Sequence, residues 1–161
     1  MKRFITVMVC AVIALVYTDV VTAQVSANAN VTVNVQSTLQ VSNLTGIQTL
    51  DFGDVAPNNS YSIPFASGVD FLISGASNVP VLVTYIAPAS LTGSGAPIGF
   101  TPVFEGSTSN DPGATSAVSS GANRTLNADG NHYLWLGGTI TVGNILPGTY
   151  TGQFTVTVAY P

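Results

Sequence analysis

Residues 24–41, QVSANANVTVNVQSTLQV, alternate apolar and polar side chains almost without interruption. Every second residue from Val25 to Val41 is valine, alanine or leucine except Ser37, and the residues between them are Gln, Ser, Asn or Thr. Successive side chains of a β-strand point to opposite faces, so a period of two is typical of a strand with one buried face. The pattern therefore predicts β-strands in this part of the chain.

The alternating stretch is too long for a single strand of a small domain. An extended run of this length reaches roughly 60 Å, whereas typical strands are about 17–20 Å long. Ser37 breaks the apolar parity, so we divide the run there into an N-terminal segment, 24–35, and a first strand of the folded domain, 38–43. The N-terminal segment carries an apolar stripe that we predict to be a functional surface. Its members are Val25, Ala27, Ala29, Val31, Val33 and Val35.

Residues 1–23 have the organisation of a secretory signal peptide. Lys2 and Arg3 precede an apolar core, and the small residues that end at Ala23 form a cleavage site before Gln24. A membrane anchor is the alternative, but the apolar run falls short of the roughly 20 residues that a spanning helix needs, and Asp19 interrupts its end. We therefore predict a secreted protein.

Three parts follow from these two observations. We predict a signal peptide at 1–23, an N-terminal extension at 24–36 and one folded domain at 37–161. A domain of this length is enough to bury an apolar core.

The charges of the chain after residue 23 exclude several classes of partner. Arg124 is the one basic residue there, and lysine and cysteine are absent. The acidic residues of this part are Asp51, Asp54, Asp70, Glu105, Asp111 and Asp129. Binding to nucleic acid phosphates or to anionic lipids needs a basic surface, so we predict neither nucleic acid binding nor membrane insertion of the mature chain. Without cysteine, the secreted fold depends on its apolar core and not on disulfides.

Short β-type runs follow one another along the rest of the chain, and no sustained helical period occurs. The predicted strands are 49–53, 61–65, 69–75, 79–86, 98–104, 132–143 and 150–160. Turns rich in Gly, Pro and Asn separate them, which predicts an antiparallel β-sandwich or barrel. The polar stretch 105–131 predicts a surface loop, with at most one weak strand near Arg124–Leu126.

Groups suited to catalysis are few. His132 is the only histidine, no G-x-S-x-G nucleophile motif is present, and the acidic residues are scattered. We place His132 on the surface at the beginning of a strand and predict that the protein is not an enzyme and binds no cofactor or metal. Asp129-Gly130 indicates a hairpin turn more than a calcium loop.

The aromatic residues of the last strands have two interpretations. These residues are Tyr133, Trp135, Phe154 and Tyr160. Exposed, they could form a sugar-binding platform; buried, they belong to the core. Their alternation with polar residues favours the core.

The chain ends in a second alternating strand, within PGTYTGQFTVTVAYP. The residues of its apolar parity are Tyr150, Gly152, Phe154, Val156, Val158 and Tyr160. An aromatic residue, Tyr160, is penultimate, and Gly148 is fourteenth from the end.

This C-terminal arrangement resembles the signature of chaperone–usher pilus subunits. The wider pattern resembles a secreted bacterial family of unknown function that is related to spore coat protein U and to the archaic pilins. The elements that carry the resemblance are Leu50-Asp51-Phe52-Gly53, Ile73-Ser74-Gly75, Leu136-Gly137-Gly138-Thr139-Ile140-Thr141-Val142 and Gly148-Thr149-Tyr150-Thr151-Gly152, with the last strand.

The resemblance implies an immunoglobulin-like sandwich that lacks one strand and has an open apolar groove beside its final strand. A periplasmic chaperone would fill the groove first, and at an outer-membrane usher the N-terminal extension of the next subunit would replace it by strand addition. The apolar stripe of 24–35 would then be the donor. The acceptor residues would be Gly148, Tyr150, Phe154, Val156, Val158 and Tyr160. Many pilins carry a disulfide, and this chain departs from them in having none after residue 23.

Three functions remain open at this point. The preferred one is a structural subunit of a pilus or fimbria-like surface filament, a homopolymer that takes part in cell adhesion and lies at the cell surface or outside the cell after passage through the periplasm. The second is a non-polymerising secreted surface or coat protein whose own N-terminal strand completes the sandwich. The third is a carbohydrate-binding module with exposed aromatic residues.

Overall fold

The computed structural model describes residue 30, residues 32–33 and residues 38–161. The predicted signal peptide and most of the predicted donor segment, including Val25, Ala27, Ala29, Val31 and Val35, lie outside the described residues. Val33 is described and is 76 % exposed.

The described residues contain ten β-strands and two short 3₁₀ helices, and no α-helix. The strands are β1 (Gln40–Asn43), β2 (Asn59–Ile63), β3 (Val69–Ser74), β4 (Pro80–Ile86), β5 (Ser90–Leu91), β6 (Ile98–Ser107), β7 (Ser116–Ala117), β8 (Ala122–Thr125), β9 (Asn131–Val142) and β10 (Thr155–Ala159). The 3₁₀ helices are Phe65–Ser67 and Pro112–Ala114. No helix in this part of the chain has the length and apolar character of a membrane span.

Two antiparallel sheets pack into a sandwich, as the sequence predicts. The larger sheet has the order β1-β3-β9-β6-β5, with β2 also beside β9 and β7 also beside β6. The smaller sheet has the order β10-β4-β8.

Strand β9 is the centre of the larger sheet. Along one side it pairs with β3 through residues 131–136 and with β2 through residues 138–142, and along the other side it pairs with β6. Gly137 allows this crowding, because a Cβ atom there would lie 2.5 Å from both the Ile63 carbonyl oxygen and the Phe65 amide nitrogen. The core-facing residues of β9 are buried, with Leu134 fully so.

The core has two parts. The main cluster lies between the sheets, and its buried members are Val69, Ile73, Val81, Val83, Phe104, Val118, Leu126, Leu134 and Leu136. The second cluster is built on Ile98, Ile140 and Val142, against which Phe52, Val55 and Tyr150 pack.

The predicted strand at 49–53 is wrong. This segment is an irregular connection in which the Asp51 carboxylate accepts a hydrogen bond from the Gly53 amide at 2.8 Å and Gly53 has a φ of +66°. A side chain that binds the backbone two residues ahead forms a local turn in place of a sheet ladder. The same segment still contributes to the core, since Leu50 and Phe52 pack against the two clusters.

The prediction for 105–131 is correct in expecting a weak strand near Arg124 but wrong in two respects. The stretch also contains the end of β6 and strand β7, and it does not lie wholly on the surface. Strand β8 at Ala122–Thr125 lies close to the predicted position, while Val118 and Leu126 are buried in the main cluster. The stretch crosses from β7 in the larger sheet to β8 in the smaller one, and the crossing segment spans the gap between the two sheets with Val118 turned towards the main cluster. The turn at Gly130 is also present, with a φ of +77°, but β8 and β9 belong to different sheets and form no hairpin.

Substitution at the centre of β9 tests the described packing. We expect Leu134→Ala to lower the free energy of unfolding by about 2–5 kcal/mol, because it removes a side chain that is fully buried and leaves a cavity. Val103→Ala on the neighbouring strand is the control, since Val103 is 40 % exposed, and its cost is expected to stay under about 1 kcal/mol. Urea unfolding of the two variants measures the difference. Equal losses would contradict the assignment of Leu134 to the core.

Candidate functional site

The edges of the two sheets that contain β1 and β10 lie on the same side of the sandwich. Strand β1 pairs only with β3, and β10 pairs only with β4, among the residues that the structure describes. The two edge strands contact each other across the gap between the sheets. Each therefore presents one row of backbone N–H and C=O groups to which another strand can add.

The inward side chains of β10 are incompletely covered. Phe154 and, on β10, Val156 and Val158 pack against the main cluster and are half-buried, whereas Thr155 and Thr157 point outward. Val158 is opposite Val83 of β4, which is fully buried. Cross-strand partners share one face of a sheet, so the difference in burial arises at the edge and not from a change of face.

Strand β1 has the same property on the other sheet. Val41 is opposite Ile73 of β3, yet Ile73 is fully buried and Val41 is 36 % exposed. Phe71 on β3 and Leu39 just before β1 are half-buried against the main cluster. We call the half-covered apolar strip between the two edges the edge groove. Its residues are Leu39, Val41, Phe71, Phe154, Val156 and Val158.

Aromatic side chains form the floor at one end of the edge groove. Phe154 stacks on Tyr85 with ring centroids 5.2 Å apart, and both rings contact Phe104, at 5.2 and 5.1 Å. Phe71 meets Phe104 edge to face at 6.3 Å. Large rings in mutual contact hold few rotamers, so this end of the groove is a preformed apolar surface.

Tyr160 anchors the other end. Its hydroxyl oxygen accepts a hydrogen bond from the Ala76 amide at 2.9 Å. Gly75 leaves the space for this contact, because a Cβ atom there would lie 2.6 Å from the Tyr160 hydroxyl oxygen and 3.0 Å from Leu39. The penultimate aromatic residue and the glycine of Ile73-Ser74-Gly75 thus meet where the last strand ends.

Asp70 orders the chain that follows β1. Its carboxylate accepts hydrogen bonds from the Thr45 amide and the Thr45 hydroxyl, both at 3.0 Å, and it is buried. Asn43 donates to the Asp70 carbonyl oxygen at 3.3 Å. These bonds hold a turn that leaves Leu44 and Ile47 exposed, at 37 % and 47 %.

The predicted acceptor residues divide into two groups. Phe154, Val156 and Val158 line the edge groove and Tyr160 lies at its end, but the last strand begins at Thr155 and not at 150 as predicted. Gly148 and Tyr150 lie elsewhere, beside a cavity of about 290 Å³ next to the second core cluster. The Tyr150 hydroxyl donates to the Leu146 carbonyl oxygen at 2.8 Å.

The predicted strand at 150–160 is interrupted before β10 because the chain moves from one sheet to the other. Thr151 forms an isolated bridge with Thr92, which follows β5 of the larger sheet, whereas Thr155 already pairs with Ile86 of the smaller sheet. The chain therefore changes sheets between these two residues. A side chain at Gly152 would collide there, because a Cβ atom would lie 2.8 Å from Leu91 and 2.9 Å from Pro88.

The predicted surface position of His132 is wrong. This residue is 4 % exposed and lies on the core-facing side of β9 with Leu134. Its Nδ1 is 3.3 Å from the Thr125 carbonyl oxygen, and its Nε2 is buried without a hydrogen-bond partner among the described residues. Burial lowers the pKa of His132 and the charge of Arg124 lowers it further, while the Thr125 carbonyl acts in the opposite direction. His132 is therefore a neutral core residue, and no acidic side chain within the described part of the chain hydrogen-bonds to its ring.

The two aromatic residues of β9, Tyr133 and Trp135, do not form an exposed platform. Trp135 is 4 % exposed, and the ring of Tyr133 stacks against it at 6.2 Å. A sugar stacks on an accessible ring face, which the buried Trp135 does not offer. Among the described residues, no three His, Cys, Asp or Glu side chains are grouped as metal ligands.

The burial of His132 predicts a pH dependence of stability. The unfolded chain takes up a proton near the ordinary pKa of about 6.5, whereas the folded protein resists it. The contribution of His132 is therefore complete above that pH and is lost as the pH falls below it. We expect His132→Leu to have a shallower decrease in free energy of unfolding between pH 7 and pH 5, measured by urea titration. Identical slopes in the two proteins would contradict this role.

The sequence predictions do not include Val41 and Phe71 as parts of the groove, nor the inward direction of Arg124. The alternation of apolar residues continues to Val41 and so predicts that its side chain faces inward. Its exposure, however, depends on which strands flank β1.

Comparisons with known proteins give one family. No curated protein matches the chain. A family described as a domain of unknown function, DUF4402, matches residues 43–160, which include β2 to β10 and the whole C-terminal side of the edge groove. The chain belongs to the DUF4402 family.

Proposed function

We propose that this protein is a secreted structural subunit of a pilus- or fimbria-like surface filament, assembled by strand addition at the edge groove. In this proposal the N-terminal extension of one copy, residues 24–36, lies between β1 and β10 of the next copy. The observation that carries the proposal is the incomplete burial of core-facing side chains on both edges, Val41 on β1 and Val156 and Val158 on β10.

The chemistry of the edge suits an added strand. Strand β10 has unpaired backbone groups along one side within the described residues, and an added strand would satisfy them with ladder hydrogen bonds. Its inward side chains would cover the groove, and each buried Å² of apolar surface contributes about 25 cal/mol. Main-chain bonds thus provide affinity and side-chain pockets provide register.

The N-terminal extension has the composition that such a strand needs. Valine and alanine alternate with Gln, Ser, Asn and Thr from residue 24 to residue 35, without a charge, a proline or a glycine. One face can therefore enter an apolar groove while the other remains hydrated. Twelve extended residues span about 40 Å, longer than the five residues of β10, so the segment can cover the whole edge.

The partners in the proposal are further copies of the chain, with a periplasmic chaperone and an outer-membrane usher as assembly factors. A groove that is open before assembly is an aggregation hazard, which gives a reason for a chaperone. The predicted signal peptide at 1–23 and the resemblance to pilus subunits in Gly148, Tyr160 and the final strand support this pathway.

Deletion of residues 24–36 tests the donor role. We expect the shortened protein to remain monomeric and to bind a synthetic peptide of residues 24–35, while the complete secreted chain forms denaturant-resistant multimers and filaments in electron micrographs. Multimers that persist after deletion would overturn the proposal, and so would a shortened protein that stays unfolded when the peptide is supplied. A complete chain that is monomeric and requires residues 24–36 for folding would identify the non-polymerising coat protein.

A charge placed in the groove tests the acceptor role. We expect Val156→Glu to weaken peptide binding by more than about tenfold, because the added strand would bury an unpaired carboxylate. Thr157→Glu is the matched control, since Thr157 is the next residue of β10 and points outward. Isothermal titration of the peptide into both variants, each checked by circular dichroism, gives the comparison. Equal affinities would contradict an apolar groove as the acceptor.

A further inference from the structure

The two edges of the smaller sheet differ in charge. Its order is β10-β4-β8, so β10 and β8 are both edge strands within the described residues. Residues 150–161, which include β10, contain no charged side chain, whereas β8 contains Arg124, the only basic residue after residue 23.

Arg124 faces the interior of the sandwich. It is opposite Val81 of β4, which is fully buried, so the two side chains share the core-facing side of the sheet. Its Nη2 donates to the Ala117 carbonyl oxygen at 2.6 Å, and its Nε is buried without a hydrogen-bond partner in the described part of the chain. Since Ala117 belongs to β7 of the larger sheet, the arginine side chain spans the gap between the two sheets beside β8.

The chain itself closes the same side of the sandwich. Between β7 and β8 it crosses from one sheet to the other, and the Val118 amide donates to the Phe104 carbonyl oxygen at 2.9 Å. The Gly121 amide donates to the Val83 carbonyl oxygen at 2.9 Å. The Ser120 hydroxyl binds both the amide and the carbonyl of Tyr85, at 2.9 and 3.0 Å. This side is therefore occupied by backbone, by these bonds and by Arg124, while the side of β1 and β10 is the edge groove.

We propose that Arg124 confines strand addition to the β10 edge by making the β8 edge unable to accept a strand. A strand beside β8 would place its inward side chains against the guanidinium group and remove that group from water. Desolvation of a charge without a counter-ion is unfavourable, and inward-pointing charges are one means by which edge strands avoid pairing. The smaller sheet thus has one edge, β10, that accepts an added strand and one edge, β8, that does not. Growth of the filament through this sheet therefore proceeds in one direction.

The inference rests on the proposed function for its biological meaning, but the β8 edge can be tested by itself. We expect Arg124→Met in the complete chain to create association at β8, because methionine replaces the charged side chain with a flexible apolar one. Arg124→Lys is the matched control that retains the charge. Hydrogen–deuterium exchange of peptides covering 122–126 and 154–160 is measured at low and at high protein concentration.

In Arg124→Met, exchange in the β8 peptide is expected to slow by about tenfold at high concentration, because added strands protect edge amides. The native protein and Arg124→Lys are expected to show no such concentration dependence in that peptide. Exchange at β8 that is independent of concentration in all three proteins would overturn the inference. Faster exchange in Arg124→Met at every concentration would also overturn it, since the arginine would then only hold the two sheets together.

If Arg124→Met fails to fold, Arg124→Gln removes the charge while retaining a polar side chain with hydrogen-bond donors, and the same comparison applies. The peptide at 154–160 reports on the edge groove, so a failure of the proposed function appears there and a failure of the inference appears at β8.

Discussion

The ladder on both sides of β9 is the interaction on which the rest of the structure depends. Twelve residues of one strand pair with β2 and β3 on one side and with β6 on the other, and the core-facing side chains of β9 contribute to both apolar clusters. Such a strand has no free edge, so within the described residues the unpaired backbone groups of the larger sheet lie on its short outer strands, β1, β2, β5 and β7. This arrangement determines at which edges the sandwich can accept another chain.

The two sides of the sandwich solve the problem of exposed edges differently. On the side of β7 and β8, a crossing segment, several hydrogen bonds and Arg124 occupy the gap between the sheets. On the side of β1 and β10, the backbone edges are free among the described residues, and the side chains beneath them are apolar and half-covered. Closing both sides would give a more stable monomer. The open side lowers the stability of the monomer, but a protein that associates by strand addition, the function that we propose, needs an open edge.

Several features of the fold and of the groove are predictable from sequence because they depend on neighbours along the chain. Alternation identified the all-β class, most of the strands and the inward parity of Phe154, Val156 and Val158. Other predictions were wrong where contacts with residues distant in sequence determine the position of a side chain. His132 was expected on the surface because it follows a turn, but its place in β9 puts it under the smaller sheet. Tyr150 shares the parity of Val156, yet the chain changes sheets between them and the two side chains belong to different clusters.

The sequence by itself determined that the chain forms β-strands, that the described fold has no disulfide and which side chains of each strand are apolar, because strand periodicity and side-chain chemistry are local properties. Only the tertiary structure decided which of those apolar side chains are covered. Val41 and Ile73 have similar side chains on paired strands, and Ile73 is fully buried while Val41 is 36 % exposed, because β3 has β9 beyond it and β1 is at the edge. Burial depends on neighbours distant in sequence, and the edge groove exists for that reason.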